Sequence, residues 1–155
     1  MREILFKAKR IDNGEWIVGS LIQTPYLGSM RSWISSEQED KARLREISSN
    51  QAIWRAFEVR TDTICQYTGL NDKNGKLIWE NDVVKKEFYT DYDNCANSEE
   101  YVGVVKYTDC AWVIETIRDK CTRPILEAMS YSEDVKHFEV IGNIFDNPEL
   151  LESED

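Results

Sequence analysis

The residues with the best spacing for chemistry are two carboxylates, Glu80 and Asp82, which stand two positions apart beside Trp79. On a β-strand such a pair shares one face, and paired carboxylates perform general acid–base catalysis in many hydrolases. The pair also forms a tight corner just before the apolar Val83-Val84. An aspartate at such a corner accepts hydrogen bonds from backbone N–H groups and holds the turn. We favour this structural role for Asp82, with a solvated Glu80.

The other reactive side chains are too scattered to form a familiar site. The single histidine, His137, has no identifiable partner, and the four cysteines contain no CxxC pair. Because zinc sites use closely spaced ligand pairs, we predict no metal. No nucleophile elbow, GxGxxG or Walker motif occurs either. We therefore predict no catalytic residue, no cofactor and no enzyme activity, with a cryptic hydrolase using Glu80 and Asp82 as an alternative.

The expected compartment determines the expected state of the cysteines. Met1-Arg2-Glu3 leads straight into a strand-like segment without the apolar core of a signal peptide. The longest apolar runs are far shorter than the roughly 20 residues that span a bilayer. We therefore expect a protein of the bacterial cytoplasm with free thiols. Cys65 and Cys110 stand among apolar residues and are expected to be small buried hydrophobes.

The net charge of −10 comes from two segments of the 155-residue chain. Residues 87–100 and 146–155 hold five acids each and no lysine or arginine, which leaves 19 acids against 19 bases elsewhere. The first segment is predicted to be a solvated loop and the second a frayed tail, both aiding solubility. The alternative is an acidic patch that meets a basic partner or mimics nucleic acid.

The amino-terminal part, residues 1–65, has the pattern of a β-hairpin followed by a helix. Apolar and polar residues alternate from Ile4 to Lys9, residues 12–15 supply a turn, and residues 16–22 form the return strand. Pro25 and Gly28 interrupt the pattern before a short strand at residues 31–35. Residues 37–47 predict one surface helix, because acids crowd its first turn and its apolar stripe is thin.

The following part, residues 66–148, predicts short strands, before an acidic tail at residues 149–155. Asn74-Gly75 predicts a type I′ hairpin, since both central positions of that turn need positive φ. Strands at roughly ten-residue spacing favour a small, partly closed barrel over a parallel sheet. The candidates are residues 83–88, 101–107, 112–117, 125–129 and 138–145.

Three segments, MREILFKAKR, QYTGLNDKNGKLIWENDVV and FEVIGNIFDNPELL, resemble the YopX family of phage and prophage proteins. They stand at the start, middle and end of the chain, so the resemblance covers nearly all of it. Asn81 replaces a usual glycine, and asparagine is the next residue most tolerant of a left-handed backbone. Trp79 replaces a smaller residue, and residues 37–50 look like an insertion.

The resemblance implies a mainly β fold with a minor α component. An amino-terminal β-hairpin region with one surface helix is expected to pack on a carboxy-terminal SH3-like small β-barrel. The family supplies no catalytic residue to carry over. The implied setting is the bacterial host cell during expression of phage or prophage genes.

We therefore expect a non-enzymatic accessory protein that works in protein–protein interaction or self-assembly, with an unknown host or phage protein or a second copy as partner. No membrane is expected to be involved, and nucleic acid is disfavoured as a ligand. The alternative is a nucleic-acid-related role, by direct binding or by acidic mimicry that occupies a host DNA-binding protein. The candidate interaction surface comprises aromatic and acidic residues near the second part: Tyr67, Trp79, Tyr89, Tyr92, Asp91 and Asp93.

Overall fold

The computed structural model describes residues 3–36, 56–92, 95–118, 122–124 and 138–152, which are mainly β as predicted. The chain divides into two compact units, residues 1–67 and 68–155. The helix predicted at residues 37–47, the strand predicted at residues 125–129 and His137 lie outside the described residues. Within the described part, no helix is long and apolar enough to cross a membrane.

The first unit is built on an antiparallel sheet with the order β4-β3-β2-β1-β5. Alternate residues of its strands point to one side, where Ala8, Ile17, Ile34 and Val59 form the core. The predicted hairpin at residues 4–22 is confirmed, because β1 pairs with β2 across the turn that contains Gly14. The strands are β1 (Phe6–Lys9), β2 (Trp16–Tyr26), β3 (Ser29–Ser35), β4 (Ala56–Val59) and β5 (Cys65–Asn71), the last of which continues into the second unit.

The second unit contains the end of β5, its partner β6, and a five-stranded antiparallel sheet with the order β10-β9-β8-β7-β11. Its core comprises Ile78 of β6 and the sheet residues Val84, Val105, Ile114, Phe138 and Val140. A 3₁₀ helix, Pro148–Leu151, follows the sheet, so the prediction of a frayed tail from residue 146 is wrong for these four residues. The strands are β6 (Leu77–Trp79), β7 (Asp82–Tyr92), β8 (Cys95–Thr108), β9 (Ala111–Thr116), β10 (Thr122–Pro124) and β11 (Phe138–Asn143).

The partly closed, SH3-like barrel predicted for residues 66–148 is not confirmed, and the described strands form no closed barrel. Closure of this sheet needs a ladder between its end strands, and in the described part β10 pairs with β9 while β11 pairs with β7. The observed sheet is therefore open over the described residues.

The prediction of a solvated loop over residues 87–100 is wrong for most of that segment. Strands β7 and β8 pair through it, from Glu87 opposite Glu100 to Tyr92 opposite Cys95. A segment with five acids and no base is typically solvated, which is why the acid content suggested a loop. The phenylalanine, tyrosine and threonine residues of β7 have high strand propensity, and the strands form despite the charge.

The turn at Asn74-Gly75 closes a hairpin as predicted but is of another type. Gly75 has φ 81°, whereas Asn74 is not left-handed. The Gly75 N–H donates to the Asp72 carbonyl at 3.0 Å, and the Asp72 N–H donates to the Lys76 carbonyl at 2.8 Å. These bonds define a three-residue loop in which a type I turn precedes one left-handed glycine.

Asp72 connects this loop to the last strand of the sheet. Its buried carboxylate accepts the Asn74 and Lys76 N–H groups on Oδ1, at 2.8 and 2.9 Å, and the Val140 N–H on Oδ2 at 3.1 Å. Burial raises the pKa of the Asp72 carboxyl, but the three N–H donors outweigh burial, and the net pKa lies below its ordinary value. One side chain therefore orders a turn and holds a strand 68 residues away.

The corner at Asn81 is held in a similar way by backbone groups. Asn81 has φ 65°, its N–H donates to the Val105 carbonyl at 2.8 Å, and its carbonyl accepts the Ile144 N–H at 3.1 Å. Asparagine tolerates this left-handed conformation, so the corner forms without the glycine that the family resemblance led us to expect.

We expect Asp72→Asn to lower the free energy of unfolding by about 1–3 kcal/mol, since an amide NH₂ would face buried N–H donors. The carboxyl's folded pKa lies below its unfolded value of about 3.9, so the wild-type advantage is complete above that pH and is lost as pH falls through the folded pKa. Urea unfolding as a function of pH measures both effects. The control is Asp109→Asn in an exposed turn, and an equal loss in that variant would contradict the assignment.

Asn81→Gly is expected to be more stable than Asn81→Ala by about 1 kcal/mol, because alanine is strained at φ 65° and glycine is not. The same pair of substitutions at Asn74, which lacks a positive φ, provides the control. There glycine should be no more stable than alanine. Equal stability of the two Asn81 variants in urea unfolding would contradict the proposed strain.

Candidate interaction surface

The structure confirms the structural role of Asp82. Its buried carboxylate accepts the Trp79 N–H on Oδ2 at 2.9 Å and so holds the corner before β7. Glu80 is half-buried beside it. Within the described residues, no three His, Cys, Asp or Glu side chains lie close enough to hold a metal ion.

Two residues of the predicted interaction surface, Tyr67 and Trp79, are buried. Tyr67 is buried in the first unit, where burial and the charge of Glu3 raise its pKa. Trp79 is buried in the second unit, so neither ring is accessible in this conformation. Tyr89, Asp91 and Tyr92 lie on the distal half of β7, and Asp93 lies outside the described residues. Their part in an interaction stays a prediction.

A different surface presents large apolar side chains to solvent. Residues 20–26 of β2 and 29–35 of β3 pair across the turn Leu27-Gly28 and form what we call the β2–β3 ribbon. Four of its apolar side chains are exposed, Ile22 at 43%, Tyr26 at 53%, Leu27 at 90% and Met30 at 51%. The register places Ile22 and Tyr26 on one face of the ribbon and Met30 on the other, with Leu27 at the tip between them. Exposed apolar surface is a common feature of interaction sites.

The outer part of the ribbon extends past its neighbouring strands. Among the described residues, β1 pairs with β2 only at residues 16–19, and β4 pairs with β3 only at residues 32–35. Residues 24–26 and 29–31 therefore have only each other as strand partners within the described part. An isolated two-stranded ribbon is marginally stable in water, so this one needs bracing.

Side chains at the base of the ribbon supply that bracing. The Arg31 guanidinium forms a two-pronged ion pair with Glu58 of β4, both bonds at 2.6 Å, and lies 5.2 Å from the Tyr26 ring centroid. The hydrogen bonds from Arg31 lower the pKa of the Glu58 carboxyl against the opposing effect of desolvation. Near the tip, the Ser29 hydroxyl donates to the Tyr26 carbonyl at 3.0 Å.

Leu27 adopts an unusual backbone conformation at the tip. Its φ is 46° and that of Gly28 is 82°, so the pair forms a two-residue turn with both residues left-handed. A bulky L-residue pays about 1–2 kcal/mol for this conformation, whereas glycine or asparagine fits it more easily. The chain therefore keeps a large apolar side chain where both the backbone and the solvent disfavour it.

The charge distribution also distinguishes this region. Residues 16–36 contain no acid and a single base, Arg31, in a chain with 29 acids. The first unit has ten bases against nine acids, and the second has nine bases against twenty acids. The ribbon is thus a charge-poor apolar surface on the nearly neutral unit.

Sequence reasoning missed this surface because Pro25 and Gly28 suggested an interruption rather than a hairpin. Leu-Gly is not a typical turn pair, and no sequence rule predicts a left-handed leucine. The absence of acids over residues 16–36 is the signal that distinguishes this segment from the rest of the chain.

A second hairpin, β8–β9, has the same turn geometry but a different surface. Asp109 and Cys110 have φ 50° and 62°, and Tyr107 is exposed with its ring packed edge-on against Trp112 at 5.0 Å. Cys65 is buried as expected, whereas the expectation for Cys110 was wrong, because this thiol is exposed in the turn.

Comparison with known proteins agrees with the observed fold. A crystal structure of protein EF1440 from Enterococcus faecalis aligns with a TM-score of 0.53 and 22% identity, covering 98% of this chain and 100% of that one. No curated protein matches the chain. The family model described as YopX protein matches residues 5–152. The protein therefore belongs to the YopX family.

Proposed function

We propose that the protein is a phage- or prophage-derived accessory protein of the bacterial cytoplasm that acts as a non-enzymatic protein–protein interaction module. The observation that carries the proposal is the β2–β3 ribbon, with four exposed apolar side chains on a charge-poor hairpin. Protein interfaces are depleted in charge at their centre and enriched in tyrosine and methionine, which matches this composition.

The bracing of the ribbon supports a binding role. A binding element held in one conformation loses less entropy when a partner engages it. Arg31, Glu58 and Ser29 restrain the ribbon without covering its apolar side chains. The surface is therefore both ordered and accessible.

The second unit is proposed to supply an SH3-like scaffold. Strands β7 to β10 pair in sequence, and β11 returns to pair beside β7. This meander with a returning fifth strand supports an SH3-like arrangement, in which the sheet would curl toward closure.

Leu27→Asn should leave the free energy of unfolding unchanged or raise it by about 1 kcal/mol, because asparagine tolerates φ 46° better than leucine. Cys110→Asn, at φ 62° in the other two-residue turn, is the matched control and should respond in the same direction. Urea unfolding followed by tryptophan fluorescence measures the change. A loss of more than about 1 kcal/mol in Leu27→Asn would show that the exposed leucine stabilises the fold.

The interaction role is tested with the full chain and with Ile22→Thr/Met30→Thr, in which threonine keeps strand propensity and removes apolar surface. We expect wild type to enrich defined proteins from its host lysate or to self-associate in sedimentation, and the double variant to do neither. Tyr107→Thr controls for loss of an exposed apolar residue elsewhere. A wild-type chain that is strictly monomeric and enriches nothing would contradict the proposal.

A further inference from the structure

We propose that Leu27 is an anchor residue that inserts into a concave apolar pocket of a basic protein, with Tyr26 and Met30 packing around the mouth of that pocket. This inference deepens the proposed interaction role and rests on it. The ribbon as a whole offers an apolar surface to a partner, and Leu27 makes the central contact.

The conformation and exposure of Leu27 point to this role. Its side chain is 90% exposed, so contacts with the rest of the protein do not compensate for the left-handed backbone. Strained residues of this kind occur preferentially at functional sites. The two-residue turn holds the leucine at the outermost point of a braced hairpin, which is the position from which a side chain enters a pocket.

The register of the ribbon disfavours binding by strand addition. Tyr26 and Ser29 flank the turn and form its closing pair, so the next pair, Pro25 and Met30, directs its backbone groups outward. Pro25 has no N–H to donate at that edge, and proline at an edge blocks the addition of another strand. The β2 edge of the tip therefore offers side chains rather than a backbone ladder to a partner.

The shape of the tip argues against a second copy as the partner. Two convex tips bury little surface against each other, and a stable interface buries about 800 Å² on each side. A pocket surrounds the tip and buries Leu27 on several sides at once.

Net charge favours a basic protein over an anionic membrane as the partner. The chain carries −10 and is repelled by the anionic surface of a bacterial membrane, whereas it attracts a basic protein over long range. Because the ribbon itself has no acid, this attraction accelerates the encounter without placing a carboxylate in the apolar contact.

The test uses the full chain with p-benzoyl-L-phenylalanine in place of Met30, which leaves Leu27 intact. Irradiation in host lysate should give one discrete adduct with a different, basic protein, and the same photoprobe at Tyr107 should not give it. Unlabelled wild type and Cys110→Asn should compete for the adduct equally. Leu27→Asn should require about 10 to 100 times more protein, as expected for loss of one buried leucine.

Five outcomes would overturn the inference. Equal competition by Leu27→Asn would contradict the anchor role. An adduct with a second copy would identify this chain as the partner. Leu27-dependent flotation on phosphatidylcholine–phosphatidylglycerol vesicles would identify a membrane as the partner. An adduct whose rate of formation is unchanged from about 50 to about 500 mM NaCl would exclude a basic partner. If wild type enriches partners but no Met30 adduct forms, the interaction role stands and the anchor is wrong.

Discussion

Much of the second unit depends on one buried carboxylate. Asp72 accepts three backbone N–H groups, two from its own turn and one from Val140 on β11. Val140 belongs to the same core cluster as Ile78, which lies on the strand that this turn begins. The carboxylate thus fixes the hairpin of β5 and β6 against the strand that completes the core. A neutral side chain of the same size lacks acceptors for all three donors.

The Asn81 corner extends the same principle. Its backbone groups bond to Val105 on β8 and to Ile144 just after β11, while Asp82 accepts the Trp79 N–H on the other side of the corner. The central family segment therefore serves as a set of hydrogen-bonded corners around the second core. The carboxylates of Asp72 and Asp82 are occupied in holding the backbone, so Asp82 is a structural residue despite its spacing from Glu80.

Sequence reasoning succeeded where one local rule acts alone. Alternation of apolar residues predicted the hairpin of β1 and β2, and the role of Asp82 followed from turn chemistry. It failed where two rules conflict. Residues 87–100 combine aromatic residues, which favour a strand, with five acids, which favour a solvated loop. The segment forms strands, because β7 pairs with β8 through it. The turn type at Gly75 was missed because it depends on backbone bonds between Asp72 and Lys76 that composition does not reveal.

Leu27 and Asn81 make an instructive contrast, since both are left-handed residues without the freedom of glycine. Asn81 has a side chain suited to that conformation, and its backbone N–H and C=O groups bond to Val105 and Ile144. Leu27 has a side chain unsuited to the conformation and exposed to water. Asn81 follows the residue preferences of a left-handed position, whereas Leu27 departs from them. Departures of this kind are expected at functional sites. The fold therefore accounts for Asn81, whereas Leu27 is the position for which we propose a partner.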